Sequence, residues 1–154
     1  MPGQNFDTDA VVSTLNSILE IELSGVVRYT HYSLMVFGHN RLPIVNWLRQ
    51  QAQESLTHSQ MVGELITHLG AHPSLNIGEL LETHQHDITT ILSESLTHEQ
   101  QALSLYWELL NLVKDRSVMM EEFARQMISE EEKHTGELRK MLGAPGEVKT
   151  ACVV

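Results

Sequence analysis

Residues 120–142 read MEEFARQMISEEEKHTGELRKML, and apolar residues recur in this segment about every three or four positions. That spacing is the period of an amphipathic α-helix. The residues of its predicted core stripe are Met120, Met127, Glu131, His134, Leu138 and Met141. The stripe is apolar at both ends and is interrupted near its middle by Glu131 and His134. Because a buried carboxylate without a partner is costly, we expect other parts of the chain to supply groups that meet these two side chains.

Three further segments have the same helical period, and glycine and proline separate them. The predicted helices cover about 8–37, 43–69, 80–113 (or from Asp87) and 117–142, and a tail covers 143–154. Each helix is about 40 Å long at the usual rise. Two short turns join the helices in antiparallel pairs, and the longer connection after residue 69 must carry the chain along the bundle. The sequence therefore predicts one all-α domain, a four-helix bundle with a long crossover between helices 2 and 3.

The other predicted stripes are interrupted in the same way, by Glu22 in helix 1, His58 in helix 2 and Glu99 in helix 3. Residues on antiparallel neighbours lie at the same height when they are equally far from the connecting turn. Glu22 and His58 average to position 40, inside the first turn. Glu99 and the Glu131/His134 pair average to about position 116, inside the second turn. The interruptions are thus predicted to form one layer across the bundle.

The chemistry of this layer favours a pair of metal ions. The spacing Glu131-x-x-His134 places a carboxylate and an imidazole on one helical face. Combined with one Glu from each of two other helices, it is the pattern of di-iron carboxylate bundles. Oxygen and nitrogen ligands without sulfur suit Fe²⁺ or Mn²⁺. Four carboxylates around two divalent ions would cancel the charge, which makes their burial tolerable.

Composition excludes several other classes of protein. The 154 residues include 20 acidic and 10 basic ones, for a formal charge of −10, and no basic patch typical of nucleic-acid binding is visible. The lone cysteine, Cys152, excludes an internal disulfide framework and a cysteine-based metal site. No apolar run approaches the ~18 residues of a membrane span, and residues 1–10 lack a secretory pattern. We therefore expect a cytoplasmic protein with no membrane or nucleic-acid partner, whose acidic excess attracts cations.

Over about residues 11–142 the sequence resembles the ferritin-like superfamily, and within it the bacterioferritins most closely. The residues that carry the resemblance are Leu15, Asn16, Glu22, Leu23, Tyr29, the segment 54–58 (ESLTH), Glu99 and the segment 131–134 (EEKH). The resemblance implies a ferroxidase that oxidises Fe²⁺ with O₂ or peroxide. It also implies storage of ferric iron in a homo-oligomeric cage, 24-mer-like and built from dimers.

The same resemblance implies roles for individual residues. Glu22 and Glu131 would be metal ligands, Glu99 would bridge the two ions, and His58 and His134 would each bind one of them. Tyr29 is either a core tyrosine with a hydrogen-bonded hydroxyl, or a residue that hydrogen-bonds to the ligands or donates electrons to the centre.

The sequence departs from the family pattern in helix 2. The family has a Glu three residues before the histidine, where this chain has Ser55, and Glu54 is displaced by one position. That displacement rotates the side chain by about 100°, so Glu54 either leans inward as a sixth ligand or points to solvent. The methionine that binds haem in bacterioferritins is replaced by Leu56, and an alkyl side chain cannot ligate iron. Haem is therefore not expected at that position.

Three other functions are compatible with a four-helix metal layer. A cage subunit whose centre is degraded by Ser55 would serve structure or mixed assemblies. A Dps-like stress-protection protein would build its sites between subunits and often carry a basic tail, and a substrate-oxidising di-iron enzyme would need an organic pocket. The pattern assigns His98 and the other remaining histidines mostly to the surface and Glu130 to a solvated flank. The alternative for His84, His86 and Asp87 is a surface metal site.

Overall fold

Four α-helices make up the secondary structure of residues 5–148, which are the residues that the computed structural model describes. They are α1 (Thr8–Met35), α2 (Arg41–His68), α3 (Ile88–Val113) and α4 (Val118–Leu142). Side-chain oxygens of Asp7, Asp87 and Ser117 accept hydrogen bonds from the first turns of α1, α3 and α4. The all-α four-helix prediction is confirmed.

The long crossover differs from the sequence prediction, because α3 begins at Ile88 and not at residue 80. Residues 71–87 contain no helix. Their backbone groups bond to α1: Gly78 donates its N–H to the carbonyl oxygen of Glu20 at 2.8 Å. Leu81 and His84 have φ angles of 48° and 56°, which a right-handed helix does not accommodate. The crossover is therefore an extended strap that follows α1.

Smaller differences concern the ends of the first two helices. The first helix ends at Met35 and not at residue 37, and the second covers Arg41–His68, so that Pro43 is its third residue. Proline is tolerated there because the first N–H groups of a helix have no partner within the helix. The predicted tail is described only to residue 148, and Cys152 lies outside the described residues.

The packing of the helices leaves a polar layer between two apolar clusters. α1 packs on α2 and α3, and α3 packs on α4. One cluster surrounds Leu15 and Tyr106, and the other surrounds Tyr29 and Leu48. Glu22, Glu99 and Glu131 lie between them with exposed fractions of 4% or less. A buried layer of this kind needs partners for its charges.

α1 is long and apolar enough to cross a membrane by length and composition, contrary to the expectation that no segment approaches that length. In the structure this helix packs against two others and carries the buried side chains of Glu22 and Arg28. A core helix of a helical bundle passes the same test of composition, because its buried positions are apolar.

Candidate metal centre

Glu131 lies at the centre of the polar layer and presents its two carboxylate oxygens to different partners. Its Oε1 is 3.7 Å from Nδ1 of His58, and its Oε2 is 3.7 Å from Nδ1 of His134. Glu22 completes the first group, with Oε1 3.4 Å from Nδ1 of His58. Glu99 completes the second, with Oε2 3.9 Å from Nδ1 of His134. The layer thus contains two three-residue groups that share Glu131.

The two remaining carboxylates are held from behind by tyrosines. Tyr106 donates its hydroxyl proton to Oε1 of Glu22 at 2.7 Å, and Tyr29 donates to Oε1 of Glu99. Both tyrosines are almost completely buried. Each carboxylate therefore has a fixed orientation, and the predicted supporting role of Tyr29 has a counterpart in Tyr106.

The outer nitrogens of the two imidazoles are also paired with carboxylates. Oε2 of Glu130 is 2.9 Å from Nε2 of His58, and Oε2 of Glu54 is 2.8 Å from Nε2 of His134. Glu54 therefore lies outside both three-residue groups and is paired with His134 of α4. Glu130 is not the solvated flank that the pattern predicts, because its side chain lies beside a cleft between α2 and α4 and is 35% exposed.

The layer has an approximate two-fold repeat that relates α1 and α2 to α3 and α4. Glu-x₆-Tyr occurs in α1 and α3, and Glu-x₃-His occurs in α2 and α4. The partners are crossed in both cases, since each tyrosine and each outer carboxylate contacts a residue of the other half. This short repeat, which was not expected, is the signal that could have identified Tyr106 and Glu130. Glu131 breaks the repeat, because the corresponding position in α2 is Ser55.

Beside Ser55, the helices α1, α2 and α3 approach one another closely. A Cβ atom added to Gly25 would lie 2.9 Å from Oγ of Ser55 and 2.9 Å from Nε2 of His98. His98 is 4% exposed, so its assignment to the surface is wrong: α1 covers this side of α3, and Nη1 of Arg28 lies 3.4 Å from its Nδ1. Burial lowers the pKa of His98 to about 4, aided by the charge of Arg28 and opposed by that of Glu99.

The three buried carboxyl groups of the layer, Glu22, Glu99 and Glu131, lie in an environment that nearby positive charge would stabilise. Burial raises the pKa of Glu22, although His58 acts in the opposite direction. Burial, and then the charge of Glu99, raises the pKa of Glu131 well above its usual range. Burial alone would also raise the pKa of Glu99, but Glu131 and His134 outweigh it and lower that pKa to about 2. Burial therefore disfavours a negative charge on Glu131, and a bound divalent cation would offset that cost.

The donor atoms fit divalent metal ions. Ligand bonds of about 2.0–2.2 Å place the atoms that share one ion roughly 3.0–3.5 Å apart, close to the separations across both groups. Among the described residues, Oε2 of Glu131 and Nδ1 of His134 are buried and have no hydrogen-bond partner. Two buried polar atoms that face each other without a hydrogen bond are costly unless a third group lies between them. A divalent metal ion bound between them would supply that group.

A cleft between α2 and α4 reaches from the surface to the two histidines of the layer. Its volume is about 410 Å³, and its lining includes His58, His134, Glu54 and Glu130. The outer edges of both imidazoles therefore face the side from which an ion would arrive. Leu56, at the position expected to exclude haem, is 37% exposed on α2.

Solved structures similar to this fold include several di-iron proteins. The ferritin-like, diiron-carboxylate proteins from Bacillus anthracis str. Ames match with a TM-score of 0.84 and 20% identity, covering 88% of this chain and 97% of that chain. The dodecameric thioferritin from Bacteroides fragilis, a bacterioferritin-related protein, matches with a TM-score of 0.79 and 23% identity, covering 89% and 86%. The bacterioferritin of Desulfovibrio desulfuricans matches with a TM-score of 0.76 and 21% identity, covering 88% and 79%.

At these identities the structural matches show the fold alone, and a search of curated proteins finds no match. The family model of the ferritin-like domain matches residues 12–145, which is most of the chain and includes every residue of the polar layer. The predicted resemblance to ferritin-like proteins is confirmed. This chain belongs to the ferritin-like domain family.

Proposed function

We propose that this protein is a bacterioferritin-like ferroxidase that takes two Fe²⁺ ions as substrate, oxidises them and stores the ferric product. The observation that carries the proposal is the division of the Glu131 carboxylate between His58 and His134. A carboxylate with one oxygen in each group can hold two ions side by side, which electron transfer to a single oxidant requires. This geometry favours Glu131 over Glu99 as the bridging residue, contrary to what the resemblance alone implied.

The remaining residues bind and orient. Glu22 and His58 would hold one ion, and Glu99 and His134 the other. Tyr106 and Tyr29 fix the two carboxylates by hydrogen bonds, so that they do not rotate away when an ion leaves. Glu130 and Glu54 would accept a hydrogen bond from the outer N–H of each imidazole, which leaves the lone pair of Nδ1 directed inward. Under this proposal Glu54 is not a metal ligand.

The proposed reaction balances with the named oxidants. Two Fe²⁺ ions give one electron each to O₂, which takes up two protons and leaves as H₂O₂. With H₂O₂ as oxidant, the same two electrons and two protons cleave the O–O bond and give two molecules of water. Both forms of the reaction leave two Fe³⁺ ions for storage.

Charge balance supports this assignment despite the Ser55 substitution. Two divalent ions carry four positive charges, opposed by Glu22, Glu99 and Glu131 within the layer. Glu54 and Glu130 at its rim add negative charge close to the imidazoles. The loss of a fourth inner carboxylate is therefore offset by the two at the rim.

The proposal extends to a homo-oligomeric cage in the cytoplasm. The dodecameric assembly of the similar thioferritin from Bacteroides fragilis supports a cage without fixing its size for this chain. We retain the 24-mer-like assembly built from dimers as part of the proposal. An acidic chain with a formal charge of −10 would attract Fe²⁺ to such a shell.

Ferrous oxidation in Glu131→Gln tests the proposal, with Glu132→Gln as its control. Glu132 is the exposed neighbour on the same helix, so the control removes an equal charge without touching the layer. Stopped-flow absorbance should show rapid ferric formation in the wild type and the control and at least a ~100-fold loss in Glu131→Gln. Equal rates in all three proteins would overturn the proposal.

One alternative retains support from a specific observation. Ser55 replaces the residue that would mirror Glu131, and a cage subunit with a degraded centre is the function this substitution favours. It predicts slow oxidation in the wild type that Glu131→Gln does not change. The Dps-like alternative receives no such support, because the described groups are built within a single chain.

A further inference from the structure

We propose a second metal site, formed by His31, Glu82 and His86, which binds a divalent transition-metal ion and fastens the crossover strap to α1. His31 lies on α1, whereas Glu82 and His86 lie on the strap that precedes α3. The site does not depend on the proposed ferroxidase function.

The three side chains converge on one point. Nε2 of His31 is 2.7 Å from Oε2 of Glu82, and Nε2 of His86 is 3.4 Å from Oε1 of the same carboxylate. One ligand atom from each residue lies within 4.8 Å of the other two. The imidazole rings are 5.5 Å apart between centroids. Two imidazoles and one carboxylate are a ligand set that Zn²⁺, Fe²⁺ and Co²⁺ accept.

The ring nitrogens have unsatisfied bonding capacity. Nε2 of His31 and Nε2 of His86 are both enclosed and have no hydrogen bond of acceptable geometry among the described residues, although Glu82 is near. The carboxylate of Glu82 therefore lies at ion-pair distance from both ring nitrogens. A shared metal ion would satisfy both nitrogens at once, which no single proton on either ring can do.

The backbone of the strap aims Glu82 at α1. Leu81 and His84 adopt left-handed conformations on either side of it, and the backbone N–H of His84 donates to Oε1 of Glu82 at 2.6 Å. Residues without glycine's freedom hold such conformations only where their surroundings require them. The turn thus presents a carboxylate that is already oriented, and folding of the strap onto α1 brings it to His31.

The residues that form this site differ from those of the surface metal site predicted from the sequence. That prediction combined His84, His86 and Asp87, but Asp87 accepts hydrogen bonds from Thr90 as the N-cap of α3. His84 contributes its backbone rather than its ring. His31 replaces both, and no sequence pattern could place it there because the crossover separates it from His86.

The site is separate from the polar layer. His31 is nine residues after Glu22 on α1, a rise of about 13 Å along the helix. Occupation of either site can therefore be removed by substitution without changing a ligand of the other. This separation allows the two sites to be counted independently.

Titration of the metal-free, full-length protein with Co²⁺, whose visible spectrum reports imidazole ligation, tests the proposal. We expect about three ions per chain in the wild type and about two in the double variant His31→Gln/His86→Gln. His39→Gln/His68→Gln is the matched control, since it removes two exposed imidazole rings outside the strap; it should retain all of the ions. Circular dichroism establishes that each variant is folded.

A variant of the central layer, Glu131→Gln/His134→Gln, separates the two sites. It should retain about one Co²⁺ per chain, and Zn²⁺ should displace that ion and slow proteolysis of the strap. Equal Co²⁺ binding by the wild type and His31→Gln/His86→Gln would overturn the site. Binding without protection of the strap would overturn its fastening role. Failure of iron oxidation alone would affect neither result.

Discussion

Ser55 on α2 and Glu131 on α4 occupy equivalent positions, since each lies three residues before the histidine that faces the polar layer. Their chemistry differs completely. Glu131 contributes both oxygens to the layer, whereas Ser55 has its hydroxyl against Gly25 of α1. The layer consequently has one central carboxylate instead of two, and that carboxylate lies near both histidines.

Removal of the Glu54 carboxylate, which contacts Nε2 of His134, should weaken metal binding without removing a proposed ligand. We expect Glu54→Gln to lower the affinity for divalent metal by about 10–100-fold, because Nε2 of His134 loses its charged acceptor. Gln53→Ala, at an exposed neighbouring position, should have no effect. Isothermal titration with Zn²⁺ measures both. Complete loss of one ion per chain in Glu54→Gln would mean that Glu54 is a ligand after all.

Substitution of Gly25 should destabilise the bundle. The added methyl group of Gly25→Ala would crowd Ser55 and His98, at a cost that exceeds the gain in helix propensity by roughly 1–2 kcal/mol. Gly63→Ala is the matched control, because no atom lies within 4 Å of a Cβ at that helical position. It should stabilise the protein by about 1 kcal/mol. Urea unfolding distinguishes the two, and equal effects would contradict the close approach.

His98 should make the metal-free protein sensitive to acid. Its pKa is lowered to about 4 in the folded chain, chiefly by burial, against a usual value of 6.5. The unfolded chain therefore takes up a proton first as the pH falls. The free energy of unfolding is therefore unaffected by protonation of His98 above pH 6.5. It falls progressively between pH 6.5 and pH 4, by a total of about 3 kcal/mol.

We expect His98→Gln to flatten this part of the pH dependence. Unfolding free energies measured by urea between pH 7 and about pH 4 test the effect. The control is His39→Gln, which lies in the exposed turn between α1 and α2. A control and a variant with the same pH dependence as the wild type would show that His98 remains accessible to protons in the folded state.

The metal-free centre should be less stable than the same fold without its central carboxyl group. Glu131→Gln replaces a buried carboxyl group whose pKa is raised well above its usual range by burial and by Glu99. We expect the variant to unfold at an equal or higher urea concentration in the absence of metal, with a gain of about 1–2 kcal/mol. Zn²⁺ at about 100 times its dissociation constant should then stabilise the wild type by about 3 kcal/mol and the variant far less.

The helices and the height of the layer could be predicted from the sequence. The period of α4 and the equal distances of Glu22 and His58 from their turn depend only on helix geometry. The strap could not be predicted over residues 80–87, because its conformation depends on bonds to α1, such as that between Gly78 and Glu20, which span the chain. Local propensity carries no information about such contacts.

The side-chain pairings within the site could not be predicted from helical spacing alone. A shift of one residue moves a side chain by about 100°, and Glu54 and Glu130 fall between inward and outward directions. Only the position of α2 relative to α4 decides that each contacts the histidine of the other helix. His98 was assigned to the surface for the same reason, since α1 covers a wider face of α3 than one stripe.

Anaerobic Fe²⁺ titration followed by exposure to air tests most directly whether Glu131 joins two ions in one centre. The variant His31→Gln/His86→Gln is the protein to use, because ions at the strap are then excluded from the count. The account predicts about two Fe²⁺ per chain at the centre and their rapid, joint oxidation. A single ion, or none, with slow oxidation would contradict it and would mean that Ser55 has reduced the centre to a structural remnant.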